Sequence, residues 1–453
     1  MLGMFVIYNQ HAAHCNRHLS MENRSATTRS GARTALALLL AINLFNYIDR
    51  YILAAVLPIL KQQFLANDPN QNGKAGLWTT AFLVSYMCTA PVFGWLADRF
   101  SRWMLVGISV AVWSLASGWS GVATSFAVLL CTRIFVGIGE AGYGPAAPTI
   151  IADLYPLQTR GRVLAWFYVA IPVGSALGYA FGGKMADILG WRWAFYLVVP
   201  PGLLVAALCL LQRDPRLTSA VRSTIVKRPQ LRDYVDLFRV PSYVINTAAM
   251  TVMTFAIGGF SAWMPDYIFL DRHNEFAPSQ HLLGNIGLTF GAITAAAGLT
   301  ATLTGGWLGD KLRSRFASSY FLVSALGMLA SFPATIAVIY VRFPLAWFMI
   351  FVAEFFLFLN TGPSNTALAN VTSPLVRASA FALNILIIHL LGDAISPPLI
   401  GVVRDRWNMN VALFGVAVMM VLAGFLWLWG ARFLPRDTMK VEGTIEQSAA
   451  RGG

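Results

Sequence analysis

The chain has 453 residues, of which 57% are hydrophobic and only 12% charged, with a formal net charge of +13. That much apolar surface cannot be hidden inside a water-soluble domain, so the composition excludes a soluble protein and calls for membrane-spanning helices of about 20 residues each. The positive charge does not signal nucleic acid, because the basic residues fall mostly in short loops between apolar runs, the distribution that sets membrane topology.

Residues 1–33 are polar and mixed, include Arg17, Arg24, Arg29 and Arg33, and lack an apolar core long enough for a signal peptide. They read as a disordered cytoplasmic tail, with Met21 as an alternative start. Twelve candidate spans follow, at 34–60, 76–97, 103–122, 126–152, 162–187, 192–211, 242–270, 284–308, 319–340, 345–371, 379–403 and 409–434. A basic segment, 212–241, divides them six and six, and a short tail, 435–453, closes the chain. The positive-inside rule makes this linker cytoplasmic, together with "DRFSR" (98–102), "QTRGR" (158–162) and "DKLRSR" (310–315). Both termini are then cytoplasmic. Arg404 and Arg406, between the last two spans, stand against the rule. The expected fold is all-α, with a six-helix half at 34–211 and another at 242–434.

The first span contains "NLFNYIDRYILAAVLP", with Asp49 and Arg50 adjacent in an apolar run. On a helix they point about 100° apart, so they need not pair with one another. Asn43, Asn46 and Arg50 form a stripe. At the end of the second span, "GWLADRFSR" (94–102) recurs as "GWLGDKLRS" (306–314), with Asp98 and Asp310 separated by 212 residues. The repeat marks two similar halves, the ground plan of secondary transporters that rock one half against the other. Gly94 and Gly306 permit close backbone approach; Asp98, Arg99, Arg102 and Asp310 are candidates for a cytoplasmic gate, or for a static brace between helices. Gly94, Leu96, Ala97, Asp98, Arg99 and Arg102 resemble the signature loop of the major facilitator superfamily, Gly-x-Leu-Ala-Asp-Arg-x-Gly-Arg, with Ser101 in place of its second glycine.

The fourth span opens on "RIFVGIGEAGYGPAAPTIIADLYP", where Arg133 and Glu140, seven residues apart, share a helix face. Ionisable groups inside a span are expensive and face a partner or a cavity. One reading makes Asp49 and Glu140 the proton carriers and Arg50 and Arg133 the anion holders, aided by Asn46 and Tyr143. The other makes the set a structural salt bridge between helices. The fifth span carries "GSALGYAFGG", which resembles the superfamily's antiporter motif with Tyr179 where a proline would stand, and equally suits tight helix packing. In the second half Glu354, Asn360, His389 and Asp393 are candidates for a further polar site or for polar packing. Cys15, Cys88, Cys131 and Cys209 are too few and scattered for a disulfide framework or a zinc site. No cofactor or metal is expected, and neither a catalytic triad nor a nucleotide-binding phosphate loop is present.

"NYIDRYILAAVLP", the fourth-span segment and "HLLGDAISPPLIG" together resemble the Spinster family within that superfamily. The resemblance implies a bacterial homologue in the inner membrane that moves a lysolipid or sphingoid phosphate. It also implies that Asp49, Arg50, Arg133 and Glu140 form the intramembrane charged set, with Glu140 carrying protons and Arg133 meeting an anionic head. On that reading the partners are an amphipathic lipid substrate, protons and membrane lipids, and the protein is a monomer and not an enzyme. A drug exporter or small organic-anion permease is the alternative within the superfamily, and a non-transporting membrane sensor the alternative outside it.

Overall fold

The computed structural model describes residues 31–97, 99–155, 157–212, 214, 235–279, 281–373, 376–441 and 443. Asp98, nearly all of the 1–33 tail, most of the 212–241 linker and most of the 435–453 tail lie outside the described residues.

The described chain is helical throughout. Eight helices make up the first part: α1 Ala32–Phe64, α2 Gln71–Ala97, α3 Arg102–Gly121, α4 Phe126–Glu140, α5 Ala146–Leu154, α6 Leu157–Ile188, α7 Trp191–Tyr196 and α8 Val199–Leu210. The second part comprises α9 Pro241–Asp271, α10 Leu282–Arg313, α11 Ser319–Tyr340, α12 Leu345–Phe358, α13 Thr361–Asn370, α14 Arg377–Ile388, α15 Ser396–Arg406 and α16 Met409–Gly430. Among the described residues, ten helical segments are long and apolar enough to cross a membrane. Their outer faces carry large apolar side chains in the open, among them Leu204, Leu303, Leu326 and Phe425. Water would not tolerate so broad an apolar surface; hydrocarbon does.

Several spans that read as continuous are broken. The fourth stops at Glu140 and resumes at Ala146, because Gly142, Gly144 and Pro145 interrupt it and a proline has no N–H for the ladder. The tenth breaks the same way between Phe358 and Thr361, just before Gly362 and Pro363. A Gly-Pro pair thus sits at the break in both parts. The eleventh contains a π-helical turn at His389–Asp393 before Pro397 and Pro398. Pro200 and Pro201 open α8 after a short break. Ser101, the departure from the signature loop, has a local purpose: its hydroxyl accepts the Met104 N–H and caps α3.

The two parts join along three seams, α6 with α10, α2 with α15 and α1 with α9. Tyr179 donates to the Ser261 carbonyl (2.7 Å), and the Gly284 N–H donates to Asp187 (2.7 Å). Thr80 donates to the Ala394 carbonyl (2.6 Å). At this end one apolar core runs through both parts, from Ile52 and Trp78 to Phe260 and Phe290. At the opposite end the first part has a core of its own around Trp103, Tyr143 and Phe167. There a Cβ added to Gly94 meets open space among the described residues, so the close approach expected at this glycine is not seen. A Cβ added to Gly306 likewise meets open space; the close fit there belongs to Gly362, whose added Cβ would lie 3.2 Å from the Gly306 backbone.

Candidate transport site

The first span is seated by the fifth. A Cβ on Gly178 would lie 2.6 Å from the Ile48 carbonyl oxygen, so only glycine lets α6 come this close to α1. This is the packing role of "GSALGYAFGG". Tyr179, in the place of the motif's proline, contacts the rings of Tyr51 and Phe290, each at 4.9 Å. The fourth span is drawn in by Gly137, where an added Cβ would sit 2.3 Å from the Phe82 carbonyl oxygen. These approaches seat α1 against α6 and α4 against α2, and the two pairs meet where Arg50 of α1 reaches Glu140 of α4.

At that point Arg50 donates from Nε to Glu140 Oε2 at 2.7 Å. Glu140 is fully buried at the last residue of α4, while the Arg50 side chain keeps 22% of its exposure. Asp49 points away from Arg50 and accepts a short hydrogen bond from Ser117 on α3. Arg133 is 1% exposed. Its Nε and Nη1 have no partner among the described residues, and neither do Glu140 Oε1, Asp49 Oδ2 and Asn46 Nδ2. Both guanidiniums lie over Phe82, Arg50 at 5.0 Å and Arg133 at 5.4 Å from its centroid, and Tyr47 and Tyr86 are also within cation–π range of Arg50. The four charges sum to zero, but among the described residues one cation, Arg133, forms no ion pair. Buried donors left in that state carry a desolvation penalty that an arriving acceptor removes.

The structure therefore brings Asp49, Arg50, Arg133 and Glu140 to one place, leaves Asn46 buried without a partner for its Nδ2 among the described residues, and gives Tyr143 other contacts. Its hydroxyl donates to the Leu39 carbonyl (3.0 Å) and its ring packs between Trp113 and Phe167. Asn43 likewise bonds the Phe167 carbonyl at 2.8 Å. At the gate motif Arg102 is buried and joins Asp214 (2.9 Å) and Asp153 (2.6 Å), tying the end of α5 to the residue beyond α8. Arg99 stacks on Trp95, 3.9 Å from its centroid, and Asp310 accepts from the Tyr320 hydroxyl at 2.8 Å. The second-half candidates do not converge. His389 and Asp393 pair with each other at 2.9 Å on the π turn, Asn360 bonds the Leu357 carbonyl at the α12–α13 break, and Glu354 accepts from Thr294 on α10.

A second charge cluster escaped the sequence reading. Lys61 donates to Asp266 (2.8 Å) and to Asn72 (2.7 Å), while Arg404 reaches both Asp266 and, at 2.7 Å, Asp271. Beside it Asp405 accepts from the Asn72 side chain and the Gly73 N–H. The signal for it was available in Asp266, an acid inside an apolar span. Arg404, which the charge pattern of the loops left unaccounted for, belongs to the same cluster and faces a buried carboxylate.

The Major Facilitator Superfamily model matches residues 39–388. Protein spinster homolog 1 of Xenopus laevis is 35% identical over 435 residues, covering 89% of this chain and 81% of that protein. The human homolog 1 is 37% identical over 406 residues, covering 85% and 75% respectively. The chain belongs to the Spinster family. Among solved structures, a bacterial homolog to the human lysosomal transporter Spinster, inward-facing and unoccupied, superposes with a TM-score of 0.79. It shares 22% identity, with 91% of this chain and 99% of that one covered. A D-xylose-proton symporter gives 0.68 at 18% identity, covering 87% and 96%. At these identities the structures establish the fold of this Spinster protein as that of the major facilitators. It is an integral membrane protein of a transporter family.

Proposed function

We propose that this protein is a proton-coupled secondary transporter working by alternating access, and that it moves an amphipathic anionic lipid such as a lysophospholipid or a sphingoid phosphate. The observation that carries the reading is the incomplete charge set: Arg133 is buried with two donor nitrogens unpartnered, beside a Glu140 whose Oε1 is also free of partners. An anionic head that engages the guanidiniums weakens the hold of Arg50 on Glu140, and a buried carboxylate that loses its counter-charge takes up a proton. Substrate and proton binding are thereby coupled. Membership of the Spinster family supports the lipid class.

In this proposal the chain crosses the membrane twelve times, each broken pair (α4–α5, α7–α8, α12–α13 and α14–α15) counting as one crossing. Both termini lie in the cytoplasm, the membrane is the bacterial inner membrane, and the protein is a monomer. The joined end around Lys61 is then external, and the conformation is inward-facing. A small organic anion would meet the same arginines, so substrate class needs its own measurement.

The test is uptake or efflux of a lysophospholipid and a sphingoid phosphate in proteoliposomes, with and without an imposed pH gradient. Transport of either, accelerated by the gradient and uncoupled from it in Glu140→Gln, is the expected result. Gradient-driven transport that persists in Glu140→Gln removes this carboxyl as the carrier. Transport of small anions alone replaces the lipid by the permease alternative.

A further inference from the structure

Glu354 lies on α12 and is 2% exposed. Its Oε1 accepts the Thr294 hydroxyl at 3.0 Å, and its Oε2 has no partner. The elements packed against α12 offer it no counter-charge. Near it α10 presents Thr294, while on α11 the Ser331 hydroxyl bonds the Ala353 carbonyl. The titratable groups within its electrostatic reach are Tyr51 and Tyr179, which come from the other part of the molecule. Among the described residues Glu354 has no ion-pair partner, whereas Glu140, Asp266 and Asp214 each touch a cation. Transfer of a lone carboxylate into such a place costs many kcal/mol, and protonation removes that cost. A protonated carboxyl also fits the observed bonding, since one oxygen accepts from Thr294 and the other carries a hydrogen.

We propose that Glu354 is a second proton-binding carboxyl, neutral in the conformation seen here and placed in the opposite half from the Arg50–Glu140 pair. Its hydroxyl is an unused donor, available to a water or to the polar head of a substrate lying between the halves. The protonation stands on the geometry of Glu354 alone; its part in coupling rests on the proton-coupled reading above. Two carboxyls in opposite halves, one with a cation and one without, respond differently to an arriving anion: Glu140 loses its counter-charge, and Glu354 gains a hydrogen-bond acceptor.

The experiment uses the full chain in lipid nanodiscs with dicyclohexylcarbodiimide, an apolar reagent that adds to protonated carboxyls in apolar surroundings to give an acylurea. Mass spectrometry is expected to find the adduct on the Glu354 peptide in acid buffer and to see it decline in alkaline buffer. The infrared difference between wild type and Glu354→Gln is expected to lack one protonated-carboxyl stretch. No adduct together with no infrared difference overturns the proposal. Labelling that stays constant from acid to alkaline buffer also overturns it, because the proton then never leaves. Thr294→Val, which keeps the carboxyl and removes its one donor to the anion, is expected to extend labelling to higher pH, and labelling unchanged by it counts against the site. In proteoliposomes Glu354→Gln is expected to shift the pH profile of gradient-driven transport. If wild type shows no gradient-driven transport, the proton-coupled reading fails, while the adduct and the infrared band still decide the state of Glu354.

Discussion

At the Lys61 end, each cation touches a carboxylate: Lys61 reaches Asp266, and Arg404 reaches Asp266 and Asp271. At the centre there are again two basic and two acidic side chains, yet only Arg50 and Glu140 touch, and Arg133 and Asp49 do not form an ion pair among the described contacts. Each set of four sums to zero, but among the described residues the Lys61 set leaves only Asp266 Oδ1 without a partner, whereas the central set leaves Arg133 Nε and Nη1, Glu140 Oε1 and Asp49 Oδ2. A cluster whose cations are all held resists separation, and this one ties α1 to α9 and α15 across the seam between halves. A cluster with open donors is built to receive something. Burial alone therefore does not tell a lock from a binding site, and the count of unmet hydrogen bonds does.

The largest effect is expected from removing the carboxylate that ties the two parts together at the Lys61 end. Asp266→Asn leaves Lys61 and Arg404 facing one another in a buried place, and losing one member of such a pair costs about 3–5 kcal/mol. Cysteine accessibility along 61–80 should rise as the seam opens; unchanged accessibility would mean that the apolar core holds this end without the ions. At the centre, Arg133→Ala should weaken anionic substrates by about 2 kcal/mol, the scale of a charge-assisted hydrogen bond, and neutral analogues much less. Equal weakening of both classes would make Arg133 a structural residue and erase the contrast between the clusters.

Two smaller changes serve as controls outside both. Tyr143→Phe removes one buried hydrogen bond to Leu39 and should cost about 1 kcal/mol in thermal unfolding while leaving substrate affinity intact. A large affinity loss would return Tyr143 to the binding site. The smallest effect concerns the loop at Glu275, whose hydrogen bonds from Arg272 and from the Phe343 N–H hold its carboxyl below the usual range. Because the folded value is depressed, the stabilisation is complete above the unfolded carboxyl pKa of about 4.3 and fades as pH falls through the folded value. Protection factors for hydrogen exchange at 272–276, taken relative to the intrinsic rate at each pH, should fall on acidification in wild type and lose that pH dependence in Glu275→Gln.

Much of this was legible in the residues. A charge inside an apolar run has few places to go, so Asp49, Arg50, Arg133 and Glu140 announced themselves, and the repeated loop at 94–102 and 306–314 exposed the internal symmetry. Periodicity placed Arg133 and Glu140 on one face, but the partner of Glu140 was decided by how α1 seats on α6, which spacing within one helix does not encode. Lys61 and Arg404 were missed because a basic residue near the end of a span reads as a topological marker, and their common partner Asp266 is 205 residues from Lys61. The break after Glu140 was visible as Gly-Tyr-Gly-Pro yet was read through, since apolar residues continue on both sides of it. Glu354 had no charged neighbour in sequence to suggest a pairing, and in the fold it still has none.

Arg404 bears on how such a chain enters a membrane. Positive charges orient spans by staying on one side as the chain is inserted, and each exposed arginine in a short loop adds to that bias. Arg404 contributes to it only until Asp266 and Asp271 close around it; afterwards its charge is cancelled inside the protein. The seventh span must already be in place for that to happen. On the proposed topology, the acid that ties the Lys61 end together therefore also neutralises a basic residue that would otherwise favour a cytoplasmic place for the loop between the last two spans.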